Sequence, residues 1–518
     1  MKKIYIIIAV VTLLFTSCSK DSLKLHNPNE PGTESLESEE GIQKFALGVY
    51  HPMRSNYYAW FALTLHNLMG DATVTSAGNF GFRYANYVYS ITRPDGSIVT
   101  SPIGMNQITL LKSLNTREQG NGNALANEWA AVYGLLGHCN LALKLLDNNE
   151  VVFKNNAEVK KKTYQVWFLW WKAFAYSRIG SLYTKGVITN EYNTLSNNYQ
   201  SHEAIITEAN RLFEEAKTIL ATIPETDATY SGLIDAFIPT QLKEGKGGII
   251  TPQMFIRNIN TYIARNLLVN KYASELTSSE LSQIETLVNN GIQQDDKIFI
   301  MRSVADGDLC FVYGSGWSPY RLLNGWENLS ERLVQDFKTG DNRYTRNVKE
   351  REELLFNPNG RGINFSTRYT LKNGGDYAST TAGVVELPFA GTYEENQLML
   401  AEVKLRKDND VDGALTLVDA VRTYQNAGLT AVAGTGLTKD QALEELRKER
   451  RIGLFLKGTA FYDARRWGIL KPVAQGGGRT NANVVVAADG TTESCTIDYQ
   501  YLEWFDVPAS ETDFNPLN

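Results

Sequence analysis

Residues 447–468, RKERRIGLFLKGTAFYDARRWG, concentrate seven Lys or Arg beside two acids. Guanidinium and ammonium groups at this density could bind a phosphate backbone or another polyanion. The rest of the chain argues against that chemistry, because the formal net charge of its 518 residues is -6. A phosphate-backbone binder needs a basic field over its surface. We therefore expect no nucleic-acid partner, and the clustered cations need another explanation.

Three of these cations, Arg450, Arg465 and Arg466, lie among apolar and aromatic residues of the same stretch. Arginine stems pack on apolar surface, and guanidinium groups stack on aromatic rings. Acidic neighbours that could neutralise the cations are Glu444, Glu445, Glu449 and Asp463. The pattern predicts a helix-turn-helix clamp whose cations are neutralised inside the protein.

Residue types that carry catalysis are present but do not form a recognisable constellation. The five histidines are scattered, at His26, His51, His66, His138 and His202, without a metal-binding spacing. The chain also lacks a GxSxG nucleophile motif and a phosphate-binding loop of the Walker spacing. Paired carboxylates remain possible in a chain with 57 acidic residues, so the spacing alone leaves glycosidase chemistry open.

Two irregular stretches rich in aromatic residues are better candidates for binding. They are residues 68–89, LMGDATVTSAGNFGFRYANYVY, and residues 311–326, FVYGSGWSPYRLLNGW. Flat aromatic faces meet the C–H faces of sugar rings, while polar neighbours bond the hydroxyl groups. The candidate glycan-binding residues are Asp71, Asn79, Arg83, Tyr84, Tyr313, Trp317, Tyr320 and Trp326. Packing against the body of the protein, or contact with a partner protein, is the alternative for each.

Between these stretches the 3.6-residue apolar period predicts helices over 128–146, 163–183, 201–220, 252–269 and 278–289. The helix over 163–183 is apolar nearly all round and should be buried. Capping boxes beginning at Thr392 and Thr438 predict two further helix starts in the C-terminal part. The helix pairs have tetratricopeptide-like size, but no fixed 34-residue period accompanies them.

The N-terminus, MKKIYIIIAVVTLLFTSCSK, has the pattern of a secretory signal, because its apolar run is too short to span a bilayer. It ends at a cysteine and resembles a bacterial lipoprotein signal, in which that cysteine is lipidated. We expect a signal peptide at 1–17, lipid attachment at Cys18 and a flexible tether over 18–40. Residues 41–518 are expected to form one domain.

Several of these segments resemble one family, the SusD/RagB-like outer-membrane nutrient-binding lipoproteins of Bacteroidetes. The strongest match is the basic stretch itself, through Glu449, Arg450, Arg451, Leu454, Gly458, Asp463, Arg465, Arg466, Trp467 and Gly468. Weaker matches follow in chain order at Trp129, Tyr133, Leu136 and Asn140, then Leu333, Val334, Phe337, Asp341 and Arg343, then Leu400 to Val403, Val421, Arg422, Pro508, Asn515 and Pro516. Gly453 and Lys457 depart from the pattern where the family usually has Glu, which puts individual ion pairs in doubt.

The resemblance implies a mainly α fold of tetratricopeptide-like helix pairs in a right-handed scaffold, with a loop-rich face and a few short strands. It also implies a lipid-anchored protein on the cell-surface side of the outer membrane. Such a protein captures a glycan and passes it to a SusC-like TonB-dependent transporter, without catalysis or a cofactor. A peptide ligand, as in RagB-like members, is the main alternative. A surface glycosidase and a pure protein scaffold are the others, and the sequence leaves a bound calcium ion open.

Overall fold

The structure is a computed structural model that describes residues 33–55, 64–76, 78, 81–192, 194–302 and 325–517. Helices dominate it, as the sequence predicts. The α-helices are α1 Glu39–Leu47, α2 Tyr50–Ser55, α3 His66–Met69, α4 Phe82–Ala85, α5 Gln107–Ser113, α6 Ala124–Asp147, α7 Ala157–Leu182, α8 His202–Leu220, α9 Ala228–Phe237, α10 Pro252–Val269, α11 Ser278–Asn289, α12 Glu331–Asp336, α13 Asn342–Asn347, α14 Tyr393–Val403, α15 Val411–Tyr424, α16 Lys439–Gly453, α17 Ala460–Arg466 and α18 Ala509–Thr512.

Side-chain caps begin most of the long helices. Ser201 caps α8, Thr251 caps α10 and Thr277 caps α11, each by accepting a hydrogen bond from a backbone N–H of the first turn. Thr438 and Gln441 form the expected capping box of α16. The box expected at Thr392 forms only in part, because the Glu395 carboxylate is paired with Arg265 instead.

The long helices form an array in which each packs on the next: α6 on α7, α7 on α8, α8 on α10, α10 on α11, α11 on α14, α14 on α15 and α15 on α16. Within this array, α7 is buried nearly all round from Thr163 onward. Its rings Trp167, Trp170 and Trp171 are fully buried and pack against Phe299. The expectation that the helix predicted over 163–183 is buried is thus confirmed.

The strands are short, and several of their pairings join segments that are far apart in sequence. They are β1 Thr73–Thr75, β2 Ser90–Thr92, β3 Ile98–Thr100, β4 Lys185–Val187, β5 Tyr199–Ser201, β6 Ile300–Arg302, β7 Glu327–Leu329, β8 Val348–Leu355, β9 Thr367–Leu371, β10 Glu386–Pro388, β11 Arg479–Val485 and β12 Thr492–Asp498. One sheet has the order β11-β12-β2-β3, and the others are two-stranded: β1-β7, β4-β5, β6-β10 and β8-β9. All of these pairs are antiparallel.

The chain contacts the helical body earlier than the expected domain start at residue 41. The Val152 N–H donates to the Glu37 carbonyl at 3.1 Å, and Glu39 accepts from the Lys154 N–H and the Lys160 ammonium. The part of the expected tether from residue 33 onward is therefore attached to the body. The expected signal peptide and Cys18 lie outside the described residues. In the described part of the chain, helices that combine the length and the apolar character of a bilayer span are absent.

Candidate functional site

The two aromatic stretches singled out in the sequence meet through the β1–β7 pair. Thr73 lies opposite Leu329, and Thr75 lies opposite Glu327. Beyond the pair, the Ser76 N–H and the Thr75 hydroxyl both donate to the Trp326 carbonyl, at 3.0 and 2.6 Å. The structure therefore brings together segments that lie about 250 residues apart in sequence.

Arg361, which belongs to a third segment of the chain, donates hydrogen bonds to the end of β1. Its Nη2 donates to the carbonyls of Thr75 and Ser76, at 3.0 and 2.7 Å. Its guanidinium also lies 4.9 Å from the centre of the Phe365 ring. Nearby, Asn364 donates to the Asn86 carbonyl at 2.8 Å and so holds the turn that follows α4. We call the region formed by residues 73–76, 81–87, 325–329 and 361–365 the loop face; most of its residues are buried, and Arg83 is exposed.

Three of the predicted glycan-binding residues lie on the loop face. Arg83 is exposed, and its guanidinium lies 5.8 Å from the centre of the half-buried Tyr84 ring. Tyr84 packs edge-on against Tyr87, with ring centres 6.0 Å apart. Trp326 is half-buried and packs against the core. Both rings are half-buried, and the assignment of these three residues to a sugar remains a prediction.

Asp71 has a different environment from the one the sequence suggested. It is 6% exposed, and its two carboxylate oxygens accept from Nε and Nη2 of Arg332, at 2.9 and 2.7 Å. The Tyr499 hydroxyl donates to it at 2.5 Å. Burial alone would raise the pKa of Asp71, but Arg332 and Arg451 hold it below its usual value. This geometry favours a structural role over direct ligand contact.

Glu327 is a buried acid on β7 that sequence reasoning missed. Its carboxyl group is 4% exposed and accepts a hydrogen bond of 2.7 Å from the Thr73 hydroxyl across the strand pair. Burial raises its pKa to about 7, against the smaller lowering effect of the Thr73 and Thr64 hydroxyls. Periodicity carries no signal for this residue, because strand β7 is only three residues long.

The other predicted site residues lie outside the described part of the structure. They are Asn79, Tyr313, Trp317 and Tyr320. Their assignment to the ligand remains a prediction. The flanking anchors of both stretches, at Ser76 and Trp326, are described and adjacent.

The basic stretch forms the expected clamp, made of α16, a turn and α17. Arg466 donates from both Nη atoms to the two oxygens of Glu402 on α14, at 2.8 and 2.6 Å. Asp463 accepts from Arg450 at 2.9 Å and from Arg466 at 2.7 Å. Burial works to raise the pKa of Glu402, but Arg466 and Arg406 keep it well below its usual range. These guanidinium groups join three helices and face the interior.

The remaining cations of the stretch have varied partners. Arg451 donates to Asp336 at 2.6 Å, and Lys457 donates to Glu394 at the same distance. Arg465 instead donates to three backbone carbonyls, of Ser181, Val269 and Glu503, and lies 3.7 Å from the centre of the Trp504 ring. Burial lowers the pKa of Arg465 to about 10.

Two of the acids expected to neutralise this stretch form ion pairs with cations from other segments of the chain. Glu449 accepts from Arg343 and Arg422, and Glu445 accepts from Arg422 and Lys338. Trp467 is half-buried. The clamp is thus confirmed, while its detailed pairing differs because partners come from segments distant in sequence.

A separate cleft of about 560 Å³ opens beside α14 and α15. Tyr393 and Tyr424 lie at it with ring centres 5.0 Å apart, and the Lys246 ammonium lies 5.2 Å from the Tyr424 ring. Its acids are already engaged, Glu386 by Arg302 and Asp376 by Arg346. Within the described residues, clusters of three or more His, Cys, Asp or Glu arranged to hold a metal ion are absent.

The fold and the loop face define a class of protein, an α-helical scaffold that presents a loop-rich surface. Comparison with solved structures places it more closely. A SusD superfamily protein from Bacteroides vulgatus superposes with a TM-score of 0.59 and 16% identity, over 92% of this chain and 98% of that one. The surface glycan-binding protein A from Bacteroides uniformis gives 0.58 and 16%, over 93% and 98%. At these identities the likeness establishes the fold.

The family model described as the SusD family matches residues 392–516, the segment that contains α14 to α17 and the basic stretch. The resemblance to the SusD/RagB-like family predicted from the sequence is confirmed for this segment by the match, and the rest of the chain is similar to SusD-like structures in fold. A comparison with curated proteins finds no match.

Proposed function

We propose that this protein is a lipid-anchored glycan-binding protein of the SusD-like type on the outer surface of the outer membrane. It captures an oligosaccharide or polysaccharide and delivers it to a SusC-like TonB-dependent transporter. The proposal is supported by the match of the C-terminal segment to the SusD family and by the fold. Solved neighbours described as a SusD-like carbohydrate-binding protein and as a surface glycan-binding protein support the same ligand class.

The observation that carries the proposal is the meeting of the two aromatic stretches at the loop face. Hydrogen bonds from Thr75 and Ser76 to the Trp326 carbonyl hold the stretches together. A ligand that spans this junction can contact rings from both stretches at once. Several stacking contacts of roughly 1 kcal/mol each give weak binding that tolerates polymers.

The two acids that the described part places beside this junction do not suit glycoside hydrolysis. Hydrolysis requires two carboxyl groups about 5 to 9.5 Å apart on opposite sides of a bound sugar. Asp71 is held by Arg332, and Glu327 lies under the strand pair, so both are buried. We therefore infer binding without catalysis, and we expect no cofactor. A peptide ligand of the RagB type is the alternative that the same rings could serve.

Membrane attachment is the second part of the proposal. A signal peptide at residues 1–17 and lipidation of Cys18 would place the protein at the membrane, and a short tether would lead to the body at residue 33. Several acyl chains on one cysteine anchor a protein stably, whereas a single chain does not.

The test is retention of the mature protein on a panel of immobilised polysaccharides and peptides, with reducing-end release measured in parallel. We expect retention on at least one glycan, without release of reducing ends. Trp326→Ala and Trp317→Ala should each weaken that retention about fivefold, since each removes one stacking contact worth roughly 1 kcal/mol.

The matched control is Phe514→Ala, which removes a ring that is 75% exposed and lies near the C-terminus. Its retention should equal that of the wild type. Because Trp326 packs against the core, Trp326→Ala is expected to melt at a lower temperature, and its retention is measured at a temperature at which the variant is folded. Retention on peptides alone would favour the RagB-like alternative. Undiminished glycan retention by both tryptophan variants would remove the loop face from the binding site.

A further inference from the structure

A groove of about 650 Å³ runs along the α16–α17 clamp, on the side where its outer cations lie. We call it the basic groove; the residues that define its character are Arg447, Lys448, Arg451, Trp467 and Arg479. A smaller cavity of about 270 Å³ adjoins it, sharing Arg447 and Trp467 and adding Lys471. Arg447 and Lys448, which line the groove, are the cations of the basic stretch that form no close ion pair within the clamp.

Acids in the groove are outnumbered by its cations. Asp336 alone accepts from both Arg451 and Arg479, at 2.6 and 2.7 Å. Asp71 also lines the groove, but both of its carboxylate oxygens accept hydrogen bonds from Arg332, which does not line the groove. One carboxylate therefore serves two guanidinium groups at the inner end of the groove.

At the outer end of the groove, one acid again faces two cations, and the distances are longer. Glu444 is the acid nearest to Arg447 and Lys448, and it lies 3.9 Å from each, beyond hydrogen-bonding distance. Nε of Arg447 is buried and has no hydrogen-bond partner in the described part of the chain. Buried donors without an acceptor are costly, so a group that supplies one here is stabilised.

The surroundings of Arg447 add to the positive field. Burial, followed by the neighbouring Arg406 and Arg466, lowers the pKa of Arg447. The acids nearby, Glu444 and Glu402, act in the opposite direction but do not reverse the shift. An anion placed against Arg447 and Lys448 would meet a local excess of positive charge in a chain whose net charge is -6.

Trp467 gives this site a second kind of surface. Its half-buried ring has the Arg466 and Arg447 guanidinium groups 4.9 and 5.8 Å from its centre. A ring beside Arg447 and Lys448 suits a sugar that carries an oxyanion, because the ring can cover the C–H face of the sugar while the two cations bind the negative charge. A bare inorganic anion would leave the ring unused.

We propose that the basic groove is a second ligand site, which binds an anionic saccharide. Its sulfate or carboxylate group lies at Arg447 and Lys448, and its sugar ring lies against Trp467. The saccharide class rests on the proposed function, whereas the anion requirement rests on the groove alone.

Titration calorimetry with three disaccharides tests the proposal on the mature protein: neutral lactose, unsulfated chondroitin disaccharide with one carboxylate, and its 6-sulfated form. We expect affinity to increase in that order and to fall as the salt concentration rises. The double variant Arg447→Gln/Lys448→Gln should lose at least tenfold in affinity for the sulfated disaccharide. It should still fold, since neither side chain makes an ion pair shorter than 3.9 Å.

The control is Arg211→Gln/Lys217→Gln on α8, which changes the net charge equally and should bind as the wild type does. Equal affinity for all three disaccharides, or an unaffected double variant, would overturn the proposal. So would inorganic sulfate binding as tightly as the sulfated disaccharide, because the ring would then add nothing. If the disaccharides do not bind at the groove but polymer retention still depends on Trp326, the proposed function stands and the groove proposal does not. If the disaccharides bind at the groove but polymer retention does not depend on Trp326, only the groove proposal stands.

Discussion

Glu327 shows how the strand pairing at the loop face sets the chemistry of a single side chain. The pairing of β7 with β1 places its carboxyl group beneath the strands, where burial raises its pKa to about 7. The folded protein therefore holds a proton that the unfolded chain releases near pH 4.5. The stabilising contribution of this group is complete below pH 4.5 and is lost as the pH rises through 7.

We predict that Glu327→Gln stabilises the protein at pH 8 by about 2 to 3 kcal/mol and has little effect at pH 5. The amide keeps an acceptor for the Thr73 hydroxyl and removes the buried charge. Denaturant unfolding of both proteins at the two pH values measures the difference. A variant that is equally or less stable than the wild type at pH 8 would contradict the assigned burial.

The comparison must be made between variant and wild type at each pH, because two histidines act in the opposite direction. His66 is buried and His138 is half-buried, and desolvation lowers the pKa of each to about 4. The unfolded chain binds protons at these residues from pH 6.5 downward, so the wild type loses stability between pH 6.5 and 4. The difference between the two proteins cancels this common background.

The α16–α17 clamp is the element in which charge does most to fix the packing. Glu402 on α14 forms ion pairs with Arg466 on α17 and with Arg406, four residues further along the chain. The side chains of Glu402 and Arg466 are almost fully buried. Removing one partner of such a pair leaves an uncompensated buried charge. Lys457, which departs from the family pattern, has a matching acid in Glu394 and so keeps the turn of the clamp neutral.

We predict that Arg466→Met lowers the free energy of unfolding by about 3 to 5 kcal/mol. Combining it with Glu402→Leu should cost less than the sum of the single changes, because the second change removes the unpaired carboxylate. Denaturant melts of the four proteins measure the coupling. Arg211→Met, which breaks the two ion pairs of an exposed guanidinium with Glu208 and Glu215, should cost under about 1 kcal/mol. Additive costs at Glu402 and Arg466 would refute the clamp.

Helices were predictable from the sequence where an apolar period and a cap coincide. Both ends of α10 and α11 agree with the prediction, and Thr251 and Thr277 cap them. The start of α7 was placed six residues late, because its first turns carry lysines and lack an apolar period. Propensity and capping are local, so the sequence displays them directly.

Site contacts were less predictable because their partners are remote. Asp71 was expected to face a ligand, but its partner Arg332 lies 261 residues away. Spacing cannot reveal a pair at that separation, and the same holds for Arg361 with Thr75. The aromatic stretches were identified from composition, whereas their junction through β1 and β7 required the fold.

At the scale of the whole molecule, the helical array supports the loop face and the basic groove as separate surfaces. The loop face is built on short strands and pinned by Arg361, and the groove is built on the clamp. Antiparallel pairing of remote segments makes the loop face part of the rigid body at its base. Such an arrangement suits a binding protein that keeps its body fixed while ligand contacts vary.

The most direct measurement is amide hydrogen exchange of the mature protein with and without a saturating amount of its best-retained neutral glycan. We predict that slowed exchange is concentrated in peptides covering residues 73–76, 81–87 and 325–329. The peptides of the cleft at Tyr393 and Tyr424 should exchange as before. Slowed exchange at that cleft, with the loop-face peptides unchanged, would contradict the account.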